Sequence, residues 1–358
     1  MDLATGKRAK LPRSIAGRYQ LALDRHGNFY GYGGWKSNVV LRYDRDGKPL
    51  PFKATGTNKL RVPAYARGPS GVGLRGLAVG PTDRVYAIAN DKAARLFVYE
   101  PDGSAMSSNL VPGMASGDCS VGADAAGNVY LGLNLRPENR VYPPEFAGLL
   151  PGAEGQGPAN WWWWHDAVKG NSNAKGERPV PWEYSYYNPY LWHWGAVFKF
   201  GPGGGRIYRG KSVATAPETA VKYKTGYLSR IVAVRDARWR YAGFGICPSG
   251  DAGWGDPACV CYNARFAVDP YGRVFLPNPF RFCVEIVDTS GNRLARVGRY
   301  GNADSAGPGS RVPEPAIALA FPYAIDVDDR RIYVTDFIND RLAVIELSYA
   351  AQATCAVE

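Results

Sequence analysis

The stretch "FAVDPYGRVFLPN", residues 266–278, decides the fold. An apolar run ends in Asp269, the chain reverses through Pro270, Tyr271 and Gly272, and "VFLPN" runs back. A short carboxylate bonds to its own backbone in a tight turn, and glycine takes the positive φ that closes one, so the stretch reads as a β-hairpin. Four more segments share this pattern: "LALDRHGNFYGYG" (21–33), "LAVGPTDRVYAIAN" (77–90), "VGADAAGNVYLGLN" (121–134) and "AIDVDDRRIYVTD" (324–336). Each puts an aromatic residue early in its return strand.

After a short link each hairpin is followed by a third strand, and most of these end in a second turn. They read "VVLRYDRDGKPL" (39–50), "RLFVYEPDGSAM" (95–106), "AVFKFGPGGGRIY" (196–208), "CVEIVDTSGNRLARVG" (283–298) and "RLAVIELS" (341–348). Three antiparallel strands and a return strand make one blade, and blades of this size repeat radially in all-β propellers. The turn positions Asp24, Gly80, Asp124, Asp269 and Asp328 lie 56, 44, 145 and 59 residues apart, so the long interval must hold an insertion. The expected architecture is one propeller domain over 1–358. It has six blades, with five or seven as alternatives, at 18–60, 73–114, 117–212, a degenerate one within 213–255, 260–310 and 320–358. Residues 136–194 form an insertion in the third blade, and 1–16 is expected to close the ring and cover an edge strand.

This pattern resembles the NHL-repeat family of β-propellers, above all in "RFAVDPYGRVFLPNPFRFCVEIVDTSGNRLARVGRYGN" (265–302) and "FPYAIDVDDRRIYVTDFINDRLAVIEL" (321–347). Asp336, Asn339 and Arg341 fall where that family carries its D-x-x-N-x-R link, whereas "GWKSNVV" and "NDKAARL" in the first two repeats depart from it. The resemblance implies a fold and a binding habit rather than a reaction. Propellers of similar shape include zinc-dependent amidating lyases, with histidines on the inner strands, and calcium-dependent lactonases. The inner strands here, "YQLALD", "LRGLAVG", "DCSVGAD", "ARFAVD" and "PYAIDVD", hold no histidine.

Composition narrows the class further. Gly and Pro together make about a fifth of the chain (43 and 27 residues), and 46% of residues are hydrophobic, which fits a turn-rich fold with a substantial core. No apolar run reaches membrane-span length, and "MDLATGKRAKLPRS" has no apolar signal core. The net charge of +11 is scattered, with "RDARWR" (235–240) as its densest cluster. Specific nucleic-acid binding is therefore not expected, because it needs a stripe or tail of cations.

The insertion contains "NWWWWHDAVKG" (160–170) and "PWEYSYYNPYLWHWG" (181–195). Aromatic faces stack on sugar rings and cations, making Trp161, Trp162, Trp163, Trp164, Trp182, Tyr187, Trp192 and Trp194 candidate ligand contacts. A long loop must also bury something to stay ordered, and the same rings serve that need. Arg75 and Arg265, with Asp118 and Asn263, are expected near the central channel. His165, His193 and Asp166 have the chemistry of metal ligands but no zinc-type spacing. No motif demands a cofactor, and zinc or calcium is the metal such a site would take.

Cys247, Cys259, Cys261 and Cys283 read either as a zinc site or as a disulfide framework, with Cys247 paired to Cys259 or Cys261 and Cys283 an apolar strand residue. A disulfide would place the protein outside the cytoplasm, extracellular or periplasmic, its leader missing from this sequence. Two functions follow. One is a non-catalytic propeller that binds a protein, peptide or glycan through one face and the insertion. The other is a metal-dependent lyase or hydrolase with its site in the channel or under the insertion. Self-association is left open.

Overall fold

The computed structural model describes residues 12–16, 19–33, 37–62, 74–90, 94–115, 118–137, 195–225, 231–244, 264–301 and 315–348. The first blade is β1 (Tyr19–Leu23), β2 (Phe29–Tyr32), β3 (Val39–Tyr43) and β4 (Lys59–Arg61), each strand paired antiparallel with the next. The second is β5 (Leu74–Val79), β6 (Val85–Asn90), β7 (Ala94–Tyr99) and β8 (Ala105–Ser107). The third begins with β9 (Cys119–Ala123) and β10 (Val129–Leu133).

Here the chain departs from the simple repeat. It passes through β11 (Leu135–Pro137), returns as β12 (Gly195–Phe200), continues as β13 (Arg206–Arg209), β14 (Val221–Thr225) and β15 (Ile231–Arg235), and only then supplies β16 (Ala237–Phe244). The third blade is β9-β10-β12-β16, and a separate sheet has the order β11-β14-β15-β13. The fourth blade is β17 (Ala267–Val268), β18 (Val274–Asn278), β19 (Cys283–Val287) and β20 (Arg293–Val297). A short parallel pair, β21 (Arg299–Tyr300) with β22 (Ala318–Leu319), leads to the fifth, β23 (Pro322–Val327), β24 (Arg331–Asp336) and β25 (Arg341–Glu346).

The segment 213–255 therefore holds no radial blade of its own among the described residues. Its strands complete the separate sheet and the outer edge of the third blade. The reason lies in "ARWRYAGF": β16 alternates, pairs with β12 from Phe200↔Ala237 to Gly195↔Phe244 with register shifts that skip Arg238 and Gly243, and turns Trp239 and Tyr241 toward the fourth blade. Residues 12–16, the described end of the segment expected to close the ring, pack on the first blade. Ser14 Oγ donates to the Gly47 carbonyl at 2.6 Å, and Ile15 is fully buried.

The turns explain the repeated Asp-x-x-Gly. In the first and third hairpins, Asp24 and Asp124 accept two backbone N–H groups on Oδ1 at 2.9–3.0 Å, and on Oδ2 the Asn28 or Asn128 amide and the Tyr30 or Tyr130 hydroxyl. Gly27 and Gly127 close these turns at φ 76 and 75. Asp269, Asp44 and Asp288 repeat the backbone half of the device.

The core is not one ball but a series of seams between blades. The first and second share Tyr30, Val40, Phe52, Ala87 and Phe97; the third and fourth share Tyr130, Val197, Phe244, Phe266 and Leu276; the fourth and fifth share Phe275, Val284, Ile325 and Val334. The separate sheet contributes Ile207, Tyr223, Val232 and Val234 to the seam of the second and third blades. Each fully buried large side chain contributes about 1.5–3 kcal/mol of transfer free energy, so the seams hold the blades together.

Candidate ligand site at the propeller axis

Four of the five described inner strands carry an extra residue near their start. The register shifts between Tyr19 and Ala22 in β1, between Leu74 and Gly76 in β5, between Cys119 and Val121 in β9, and between Pro322 and Ala324 in β23. The bulges fall at Gln20–Leu21, Arg75, Ser120 and Tyr323, and Gln20 and Ser120 adopt φ 53 and 65. Such bulges re-aim side chains and cluster near binding sites. Arg265 occupies the same level in the fourth blade, since it precedes Asp269 by the same interval that separates Ser120 from Asp124.

These positions form a connected collar. The Tyr32 hydroxyl of the first blade donates to the Gly76 carbonyl of the second at 2.5 Å. A Cβ on Gly76 would lie 3.3 Å from the Ser120 amide nitrogen of the third. Ser120 Oγ accepts the Phe266 N–H of the fourth at 3.3 Å, and Arg265 exchanges backbone hydrogen bonds with Tyr323 and Ile325 of the fifth at 3.1 and 3.0 Å.

Arg265 marks the centre. Its guanidinium interacts electrostatically with Tyr323 and Asp326 of the fifth blade, Tyr32 of the first and Cys119 of the third, a set that a radial fold brings together only at its axis. Among the described residues it has no hydrogen bond or ion pair through its side chain. Desolvation holds it below the ordinary guanidinium value, and the neighbouring tyrosines, Cys119 and Asp326 work against that lowering.

Asp326 lies two residues beyond Ala324, the parallel partner of Arg265, and is open to the lumen. The protein around it nonetheless raises its carboxyl above the usual value by desolvation, against lowering by the Val327 amide and Arg265, while Asp328 adds to the rise. The only side-chain hydrogen bond it receives from a described residue is the Val327 amide, at 2.9 Å. At the same level the other blades carry Ala22, Ala78, Gly122 and Ala267, so this tier of the inner strands bears one charge. Two opposite charges set on bridged inner strands mark a candidate site.

The other sequence candidates divide. Arg75 is buried at the collar, 2% exposed. Asp118 is structural: fully buried, it accepts from the amides of Ala115 and Asn134 and from Arg209, tying the separate sheet to the third blade. Asn263, Trp161, Trp162, Trp163, Trp164, Trp182, Tyr187, Trp192, Trp194, His165, His193, Asp166, Cys247, Cys259 and Cys261 lie outside the described residues. Among the described residues no group of three or more His, Cys, Asp and Glu is placed to hold a metal. Cys283 is a free, fully buried thiol in β19, raised to about 12 by burial and then by Glu285, which fits the reading of it as an apolar strand residue.

The sequence reading missed Tyr32, Tyr323 and Asp326. Only the comparison of inner strands tier by tier singles out Asp326.

The strand order and the collar define a β-propeller. No family model matches the chain, and no curated protein is similar to it. Solved structures do align. Virginiamycin B lyase from Staphylococcus aureus aligns at 11% identity and TM-score 0.40, over 95% of this chain and 87% of that one. A PQQ-bound aldose sugar dehydrogenase from Streptomyces coelicolor aligns at 15% identity and TM-score 0.39, over 96% and 82%. A gluconolactonase from Xanthomonas campestris aligns at 12% identity and TM-score 0.29, over 88% and 82%. At these scores the fold rests on the chain's own strand order and inter-blade pairing.

Proposed function

We propose that this is a non-catalytic binding propeller of the NHL-repeat type, working outside the cytoplasm and holding a glycan, peptide or protein partner against one face. One observation carries the reading: the chain leaves β10 and re-enters β12, on either side of the aromatic-rich residues 138–194, at the collar end of the propeller. Each inner strand starts at the collar and each second strand returns to it, as Gly132 opposite Cys119 demonstrates in the third blade. The insertion follows that second strand by way of β11, and the chain re-enters the blade with Ala196 opposite Leu133 at the same end. The Trp- and Tyr-rich sequence between those strands, together with polar groups at the axis, suits a ligand with both apolar faces and polar groups.

The test is a glycan and peptide array probed with the full chain and with a variant carrying Trp161→Ala, Trp162→Ala, Trp163→Ala and Trp164→Ala together. The quadruple variant is expected to lose most binding while keeping its β-sheet circular dichroism. Unchanged binding to every ligand the parent retains would remove the insertion from this account.

A further inference from the structure

We infer that Arg265 and Asp326 form a built site for one hydroxylated carboxylate, of the hexuronic acid class, on the propeller axis. The inference rests on the binding reading and names the acidic sugar that the axis would take.

Arg265 offers a guanidinium whose side chain is otherwise unpaired among the described residues, and carboxylates are bound bidentately by that planar fork. Asp326 sits two residues further along the neighbouring inner strand, which displaces it by roughly 6.6 Å along the strand direction at the usual rise. A carboxylate accepts hydrogen bonds from hydroxyl groups, so the pair calls for a ligand with an anion at one end and hydroxyls at the other. Acetate has the first and lacks the second; glucose has the second and lacks the first. A hexuronate has its carboxylate and its far hydroxyls on opposite sides of one ring, which matches the two tiers.

The surroundings agree with one ring rather than a chain. Tyr32 and Tyr323 act electrostatically on the guanidinium, and at the tier of Asp326 the other inner strands carry only the small residues Ala22, Ala78, Gly122 and Ala267. Tyr323 belongs to the neighbouring blade, so a ligand held by Arg265 and Asp326 would join the fourth and fifth blades. The arginine cluster around Glu285 is a weaker candidate for an anion. Arg281, Arg293 and Arg296 lie 3.6, 3.9 and 3.2 Å from that fully buried carboxylate, which already occupies their common centre.

Isothermal titration of the full chain with D-glucuronate, D-glucose and acetate tests this. Glucuronate is expected to bind at least tenfold more tightly than either of the others. Arg265→Gln is expected to weaken glucuronate by about ten- to a hundredfold, the usual effect of losing a charge-assisted pair, leaving glucose unchanged. Asp326→Asn is expected to weaken glucuronate several-fold without altering acetate. Arg265→Lys keeps the charge and loses the fork, and is expected to fall between the parent and Arg265→Gln, which guards against a folding defect. Equal affinities for glucuronate and glucose, no binding of any of the three, or an Arg265→Gln variant that matches the parent would each overturn the proposal. If the array ligands still bind in any of those cases, the binding function stands and only the acidic-sugar assignment is lost.

Discussion

Replacing Asp336 by asparagine should unravel the end of the fifth blade. Asp336 is fully buried; Oδ1 accepts from Ala320 N and Phe321 N at 3.0 and 2.7 Å, and Oδ2 from Asn339 Nδ2 at 2.6 Å and Arg341 Nε at 3.3 Å. An amide keeps one acceptor. With its oxygen on the two backbone donors, its NH2 faces the Asn339 amide and the Arg341 guanidinium, donor against donors. Asn339 cannot turn over without loss, because the same Nδ2 also donates to the Gly301 carbonyl at 2.9 Å. Losing the half-buried Asn339 bond costs about 1.5–3 kcal/mol as a bond to a charged group. The Arg341 pair adds only about 0.5–1 kcal/mol, since that side chain is 45% exposed. Turning the two backbone bonds from charge-assisted to neutral adds about 1 kcal/mol. Asp336→Asn should therefore lose about 3–5 kcal/mol in denaturant unfolding, with Asp288→Asn, whose turn is exposed, losing far less. A loss under about 1 kcal/mol, or one equal to that of Asp288→Asn, would refute the reasoning.

Gly113 has φ +93, and a Cβ there would lie 1.8 Å from the Ile207 carbonyl oxygen. Gly113→Ala should loosen the separate sheet, read as faster amide exchange in β13, whereas Gly56→Ala, with φ +64 and open space around it, should cost only about 1–2 kcal/mol. Burial raises the Asp124 carboxyl, but bonds from Asn128 and Tyr130, the Asn128 amide and Lys199 outweigh it, and the net position is below the usual value. Its contribution is therefore complete above the unfolded carboxylate value and lost as pH falls through the folded one, so unfolding free energy should drop on acidification below about pH 4, and less steeply in Asp124→Asn. Cys283, with its thiol raised to about 12, should resist labelling in the native protein and label fully in denaturant, as mass spectrometry of the modified peptide would show.

The blades were legible because their turns are local. Asp24, Asp124 and Asp269 act within four to six residues of themselves, and such short-range chemistry repeats visibly in sequence. The D-x-x-N-x-R spacing at Asp336, Asn339 and Arg341 was equally readable, and in the structure it closes the end of one blade. The order of strands in the third blade was not readable. β16 is selected by pairing with β12 across residues 201–236, and a long-range pairing leaves no local mark beyond alternation. For the same reason the collar was only half seen. Arg265 carried a signal as a charge in an inner strand, but the bulges that place it depend on register, and Asp326 stands out only once five strands are laid side by side.

The late arrival of β16 also bears on how the molecule is made. The other blades with four described strands are finished by chain that directly follows their third strand, whereas the third waits until residues 237–244 have left the ribosome. Until then β12 presents an open edge, and Trp239 and Tyr241 are not there to meet the fourth blade. The separate sheet, anchored by Arg209 on Asp118 and by Ile207 N on the Pro112 carbonyl, stands next to that unfinished edge in the meantime. Stalled nascent chains from which residues 237–244 have not yet emerged should thus be the aggregation-prone species during synthesis, and those from which they have emerged should not.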